Sequence, residues 1–142
     1  MTDVVREHNI GGYDRLLGTK FIAVEPQRIV TELEITRDHL QPWGLANGGV
    51  YCSLGETAGS VAGYIAAGAK LPVVGVNNNT DFYRSAVAGD TVVTTATPTH
   101  LGSTFHVWAI EHRRKADEKV LARTSLRLAV LTEEQAARSG KK

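Results

Sequence analysis

The sequence has little of several features that mark common classes of protein. Among its 142 residues there is one cysteine, Cys52, so no disulfide can form within the chain, which fits a reducing compartment. Its 16 Lys and Arg residues nearly balance 15 Asp and Glu residues. A nucleic-acid binder usually shows a basic excess, and the one basic run, 112–115, is interpreted as a solvated strand end or turn. We therefore expect no nucleic-acid partner.

Long hydrophobic runs are also missing. No stretch approaches the length that crosses a bilayer. Residues 1–15 contain Asp, Glu and Arg but no apolar segment typical of a secretory signal. The expectation is a cytoplasmic protein without a membrane partner.

No motif indicates a metal or a nucleotide cofactor. The sequence has no phosphate-binding Gly-Lys-Ser/Thr loop and no dinucleotide fingerprint, and no Cys, His and carboxylate spacing resembles a metal site. Cys52 is interpreted as a small apolar helix residue rather than a nucleophile. His100, His106 and His112 are interpreted as scattered surface residues. We expect neither metal nor cofactor.

The hydrophobic periodicity predicts an α+β architecture in one domain, 1–142, with an ordered core of about 17–131 and a polar, mobile tail. Short turns between strands favour an antiparallel sheet, which one long helix would cover. The predicted elements are a helical turn at 13–17, strands from Phe21 and at about 29–36, a loop at 37–46, a helix at about 48–67, and strands at 73–84, 91–99, 104–112 and 120–131.

The long helix carries an unusual number of glycines. Its apolar residues recur at helical spacing: Val50, Leu54, Ala58, Val61 and Ile65. Gly55, Gly59 and Gly63 each cost roughly 1 kcal/mol relative to alanine in a helix interior. They either let the sheet approach closely or make room for a ligand or a second helix.

The most informative spacing is that between Gly48 and Glu56. Paired glycines open the helix, where unpaired N–H groups and the positive end of the dipole can hold an oxyanion. A carboxylate about 160° from the apolar stripe, at 100° per residue, can attack a carbonyl or activate water. Because eight residues rise about 12 Å, Glu56 cannot readily reach an atom held at its own Gly48. The spacing therefore predicts a dimer with two equivalent sites across its interface.

A run of three asparagines, 77–79, lies within a predicted strand. Asparagine is depleted in strands. Either alternate members of the run line a polar cleft, or the run marks a β-bulge.

At these residues the chain resembles the hotdog-fold thioesterases, in particular the PaaI-like and 4-hydroxybenzoyl-CoA thioesterase-like branch. The resemblance spans about Leu17 to Leu131. It is carried by the loop and helix 41–60, the strand 73–76 leading to 82–84, the turn 88–90, the hairpin 100–104 with Trp108, and Leu121-Ala122. It implies a hotdog fold, a homodimer often doubled to a homotetramer, a CoA thioester as substrate and no cofactor.

The resemblance also implies roles for particular residues. The Gly48 amide would polarise the thioester carbonyl with help from Gln41, and Glu56 of the other protomer would be nucleophile or general base. Ser60 would orient Glu56 or the attacking water. The residues that would contact the CoA thioester are Gly49, Arg84, Ser103 and Thr104.

Asn47 departs from the family pattern. Many relatives have His-Gly-Gly where this chain has Asn47, Gly48 and Gly49. Asparagine cannot titrate, although it can cap the helix. Two hypotheses stand: hydrolysis of an acyl-CoA thioester, and a non-catalytic module that binds acyl-CoA or fatty-acyl groups as sensor or carrier. A hotdog hydratase is disfavoured because the loop and helix segment contains no histidine.

Overall fold

A computed structural model describes residues 11–139. A short helix, α1 (Tyr13–Leu17), precedes strands β1 (Lys20–Glu25) and β2 (Arg28–Glu34) and a 3₁₀ turn at Arg37–His39. The remaining elements are α2 (Gly48–Ala66), β3 (Val73–Phe82), β4 (Thr91–Leu101), β5 (Phe105–Arg114), β6 (Val120–Val130) and α3 (Glu133–Ser139).

The six strands form one antiparallel sheet in the order β1-β2-β4-β5-β6-β3. Helix α2 packs against β2 to β6, so the predicted α+β arrangement is confirmed. Most predicted element bounds lie within one or two residues of the observed ones. Within residues 11–139, none of the helices is both long and apolar enough to span a membrane.

The sheet has two unpaired edges, and β3 forms one of them. Within the described chain β3 pairs only with β6. Three of its apolar side chains are exposed: Val74 at 41%, Val76 at 56% and Phe82 at 54%. A ten-residue edge strand with these exposed apolar side chains offers unpaired N–H and C=O groups to another strand.

The glycines of α2 face the sheet. Gly55, Gly59 and Gly63 are buried, and a Cβ atom added to Gly55 would lie 2.8 Å from the Oγ1 atom of Thr124 on β6. At Gly59 the added atom would lie 3.1 Å from Cδ1 of Ile110 and also meet Leu126. Of the two interpretations of these glycines, the structure supports close approach of the sheet.

The predicted apolar stripe needs correction. Val50, Leu54 and Ala58 are buried, but Val61 and Ile65 are only half-buried, and the face against the sheet is completed by Tyr51, Ala62 and the three glycines. Glycine has no side chain and adds nothing to a hydrophobic pattern, so periodicity shifted the centre of the stripe toward Val61 and Ile65.

The C-terminal segment also differs from prediction. Instead of a polar, mobile tail from Thr132, helix α3 forms at Glu133–Ser139. The Gln135 amide donates to Thr132 Oγ1 at 3.2 Å, and Gln135 Oε1 accepts from the Thr132 amide at 2.9 Å. This capping box was readable from the Thr-x-x-Gln spacing.

We predict that Gly59→Ala lowers the free energy of unfolding. Overpacking against two buried side chains costs about 1–3 kcal/mol and outweighs the gain of roughly 1 kcal/mol from helix propensity. Urea unfolding at one fixed protein concentration measures the difference. Ala66→Gly, at the exposed last residue of α2, is the control and reports propensity alone. A more stable Gly59→Ala protein would contradict this account of the packing.

Candidate active site

The start of α2 carries an amide without a partner. Asn47 is the N-cap residue, and its Oδ1 accepts a hydrogen bond from the Gly49 amide at 2.8 Å. Among residues 11–139, no partner is found for the Gly48 amide. Asn47 therefore holds the first turn and engages Gly49, while the Gly48 N–H is left for a ligand oxygen.

Gln41 is fixed by a tight loop in front of this helix start. Its backbone amide donates to the Leu45 carbonyl at 2.8 Å, and its carbonyl accepts from Gly44 at 3.0 Å. Gly44 has a φ of 82°, a conformation suited to glycine. The Gln41 Oε1 atom accepts from the Trp43 amide, so the side-chain NH₂ group is the part available as a donor.

These groups line one open cavity of about 270 Å³, here termed the Gly48 cavity. Its walls are Gln41, Leu45, Ala46, Gly48, Tyr51, Phe82, Arg84 and Ser85. The Phe82 ring lies over the helix start, since a Cβ atom on Gly48 would lie 2.8 Å from its Cζ atom. The cavity thus combines an aromatic wall with amide donors.

Glu56 lies in a different place. It lines a second cavity of about 350 Å³, the Glu56 cavity, with Tyr13, Cys52, Ser53, Thr57 and Asn78. The carboxyl group lies against β3, because a Cβ atom on Gly75 would be 3.1 Å from its Cδ atom. Gly59 and Gly63 face the sheet and do not line this cavity. The two cavities of one chain share no lining residue.

Helix α1 covers the outer side of the Glu56 cavity. The Tyr13 and Ser53 hydroxyls are 2.9 Å apart, and Thr57 donates to the Asp14 carboxylate at 2.6 Å. The sequence pattern indicated the helical turn but gave no sign of these contacts, because they depend on how the chain folds back over α2.

Both features that the sequence left open are found at the asparagine run: a bulge directly precedes it, and one of its members lines a cavity. The register between β3 and β6 shifts between Gly75 and Asn77, which marks a bulge. Asn78 donates to Glu56 Oε2 at 3.2 Å and lines its cavity. The functional interest of Asn78 was therefore visible only as an unusual residue type in a strand.

The other predicted site residues are dispersed within one chain. Ser60 is half-buried one turn beyond Glu56 and does not line the Glu56 cavity. Arg84 donates to the Val120 carbonyl at 2.8 Å, at the start of β6. Ser103 and Thr104 lie in the β4–β5 hairpin, where the Thr104 carbonyl accepts from Val130 at the end of β6.

The length of β6 separates these groups. From Val120 to Val130 the strand runs about 33 Å at 3.3 Å per residue. The structure therefore does not bring Ser103 and Thr104 to Arg84 within a single chain. A common CoA site for all three would need more than one protomer.

The interpretation of the histidines as surface residues is wrong for two of the three. His106 is 3% and His112 0% exposed, because both point from β5 toward the helix. Burial, with the neighbouring His100 charge, lowers the pKa of His106, and burial lowers the pKa of His112 to about 3. Cys52, expected to be buried, is half-buried with a free thiol. Among residues 11–139 no group of three or more His, Cys, Asp or Glu residues could hold a metal ion.

Comparison with known proteins agrees with this architecture. The family model of the thioesterase superfamily matches residues 44–121. The chain is 35% identical over 105 residues to the 1,4-dihydroxy-2-naphthoyl-CoA hydrolase of Escherichia coli, which covers 74% of each chain. It belongs to the thioesterase superfamily.

Solved structures show the same fold. AziG of S. sahachiroi is 37% identical with a TM-score of 0.82, over 86% of this chain and 98% of AziG. Thioesterase HI1161 of Haemophilus influenzae is 29% identical with a TM-score of 0.83, over 90% of this chain and 88% of its own. The predicted hotdog fold and the enzyme class of thioester hydrolase are confirmed.

We predict that His112 makes stability depend on pH. In the unfolded chain a histidine titrates near 6.5, whereas in the fold its pKa is about 3. The unfolded state therefore binds the extra proton as the pH falls below about 6.5, and stability is lost by up to about 1.4 kcal/mol per pH unit down to about pH 3. His112→Phe is expected to be less stable at pH 7 but to lack this part of the slope.

Urea unfolding at pH 7, 6, 5 and 4 measures the slope. The control is Lys70→Gln, which changes an exposed side chain outside the core and is expected to keep the native slope. Equal slopes for native protein and His112→Phe would show that His112 is not neutral in the fold.

Proposed function

We propose that the protein hydrolyses an acyl-CoA thioester at sites formed by two chains. The observation that carries the proposal is the division of the chemistry: one chain offers a free amide in the Gly48 cavity and a carboxylate in a separate Glu56 cavity. About 12 Å of helix rise separates the two residues. A single carbonyl group can be served by both only if they come from different protomers.

The exposed β3 edge supports such a pairing. Its unpaired backbone groups and exposed Val74, Val76 and Phe82 favour addition of a second β3 in antiparallel register, which is compatible with two-fold symmetry. Glu56 lies against Gly75 of β3, and Phe82 at the end of β3 lies over Gly48. Pairing two β3 edges would therefore bring the Gly48 cavity of one protomer toward the Glu56 cavity of the other. A homotetramer would double this unit.

In the proposed reaction the thioester carbonyl oxygen accepts hydrogen bonds from the Gly48 amide and from the Gln41 NH₂ group. Glu56 of the other protomer either attacks the carbonyl carbon, to form an anhydride that water opens, or removes a proton from an attacking water. Either way the C–S bond breaks, the acyl group gains a water oxygen and CoA leaves as a thiol. A thiolate is a good leaving group, so no strong general acid is required.

Three further roles follow the resemblance. Ser60 would orient Glu56 or the water, and Arg84 would contact the CoA portion at the mouth of the Gly48 cavity. Ser103 and Thr104 would contact CoA only from another protomer. Gly49 contributes its small size rather than its amide, because that N–H is bonded to Asn47.

An aryl group is the first acyl class to test. Phe82 and Tyr51 line the Gly48 cavity, and two relatives, from E. coli and Listeria monocytogenes, are named 1,4-dihydroxy-2-naphthoyl-CoA hydrolases. Asn47, in place of the histidine of many relatives, favoured the alternative of a module that binds acyl-CoA without hydrolysing it. Its side chain acts as a helix cap here and leaves the Gly48 amide free, which supports hydrolysis.

We predict that Glu56→Gln lowers the rate of CoA release by about 100-fold or more, the size of effect expected for losing a general base. Release of free thiol is measured on 1,4-dihydroxy-2-naphthoyl-CoA, benzoyl-CoA, acetyl-CoA and palmitoyl-CoA, with a protein blank for the Cys52 thiol. Glu134→Gln, at an exposed residue of α3, is the control and should keep the native rate. Equal low rates for native protein and Glu56→Gln on every substrate would refute the assignment.

We also predict that two inactive variants restore each other. In a heterodimer of Glu56→Gln with Gln41→Ala, one of the two sites combines a native Gln41 from one chain with a native Glu56 from the other. Random pairing makes half of the dimers mixed, so co-expression should recover about a quarter of native activity.

The matched control is co-expression of Glu56→Gln with Glu56→Ala, where no native site can form. Sedimentation of each preparation verifies the assembly. If the Gln41 and Glu56 variants give no recovery although mixed dimers are present, the site is built within one chain.

A further inference from the structure

Asn78 connects the carboxylate of Glu56 to a series of hydrogen-bonded side chains that runs across the sheet from β3 to β4. Its Nδ2 atom donates to the Cys52 carbonyl at 3.0 Å and to Glu56 Oε2 at 3.2 Å. Both partners can only accept hydrogen bonds when Glu56 is ionised. The orientation of the Asn78 amide is therefore fixed, with nitrogen toward the helix and oxygen toward β3.

The bulge in β3 is what turns Asn78 toward α2. Gly75 lies opposite Leu128, Asn77 opposite Arg127 and Asn78 opposite Leu126, so Val76 is the additional residue. Leu126 and Leu128 are buried and Arg127 is exposed. Because the side chains of a strand alternate, an unbulged strand would point Asn78 away from the helix.

Beyond Asn78 the hydrogen bonds continue without a gap. Thr80 Oγ1 donates to Asn78 Oδ1 at 2.8 Å and lies 2.9 Å from Thr124 Oγ1. Thr124 Oγ1 lies 2.9 Å from His112 Nε2, and His112 Nδ1 lies 2.8 Å from Thr94 Oγ1. Thr94, His112 and Thr124 are buried.

The Glu56 carboxylate determines which group is the donor in each of these hydrogen bonds. The single hydroxyl proton of Thr80 is used on Asn78, so Thr80 must accept from Thr124. Thr124 then accepts from the N–H at Nε2 of His112, and His112 Nδ1 accepts from Thr94. Each of these hydrogen bonds is therefore donated in the direction of Glu56. The His112 imidazole is neutral, in agreement with its low pKa.

We propose that Asn78 is a positioning residue for Glu56, held in its orientation by Thr80, Thr124, His112 and Thr94. This inference rests on the proposed function of Glu56. A neutral amide donor restricts the rotamers of the glutamate without placing a cation beside it, so no ion pair competes with the reaction of the carboxylate. The amide oxygen is held by the hydrogen bond from Thr80, whose further partners Thr124, His112 and Thr94 are buried, and this disfavours turning the oxygen toward the carboxylate.

The test is a double-mutant cycle on the substrate of the panel that native protein hydrolyses fastest. Asn78→Leu keeps the side-chain size but removes the donor, and we expect kcat to fall about tenfold with KM unchanged, as for loss of a group that orients a reacting residue. In a Glu56→Gln background the same change should cost less than about twofold, because the residue it positions is already gone. Asn77→Leu, on the outward face of the same strand, is the control and should keep the native kcat.

A second pair of variants tests the hydrogen-bonded series beyond Asn78. Thr80→Val removes the hydroxyl at constant shape and should lower kcat by about threefold or more, whereas Thr80→Ser keeps the donor and should stay within about twofold of native protein. An equal loss from Asn78→Leu in both backgrounds, or native kcat for both Asn78→Leu and Thr80→Val, would overturn the inference. A fully active Glu56→Gln would instead overturn the proposed function, and the inference with it.

Discussion

The close contact between α2 and β6 determines how the rest of the molecule can be arranged. Three glycines lie on one face of the helix, which packs directly against buried side chains of β5 and β6. An added methyl group at any of the three would collide with those side chains. A helix seated this deeply is flanked on one side by the bulged edge strand β3. The start of the helix and its third turn therefore both open toward that edge, at Phe82 and at Gly75.

This packing holds the Gly48 amide and the Glu56 carboxylate in fixed positions that are far apart within one chain. Gly48 and Glu56 lie on the same rigid element, so their separation cannot be closed by a loop movement within one chain. The helix start is rigid because Asn47 caps it and because the Gln41 loop is closed by backbone hydrogen bonds. The pairing of two β3 edges would have two effects: it would satisfy unpaired strand backbone and cover exposed apolar side chains, and it would complete the proposed site.

The fold could largely be predicted from the sequence because its determinants are local. The hydrophobic periodicity and the paired glycines that open α2 each act over a few residues, and the observed elements lie where these signals predicted them. The failures have equally physical causes. The α2 stripe was misplaced because glycines carry no hydrophobic signal, and His112 was taken for a surface residue because its partners, Thr94 and Thr124, lie 18 and 12 residues away along the chain.

The contribution of α1 to the Glu56 cavity has a consequence for how such a protein can diversify. Tyr13 lines the cavity from an element that belongs neither to the sheet nor to α2, and that element is attached through hydrogen bonds of Tyr13 with Ser53 and of Asp14 with Thr57 rather than through the core. Residue 13 can therefore be exchanged for a larger or smaller one without disturbing the packing that keeps the protein folded. Selection for a new acyl chain could act on this wall first and leave the strands unchanged.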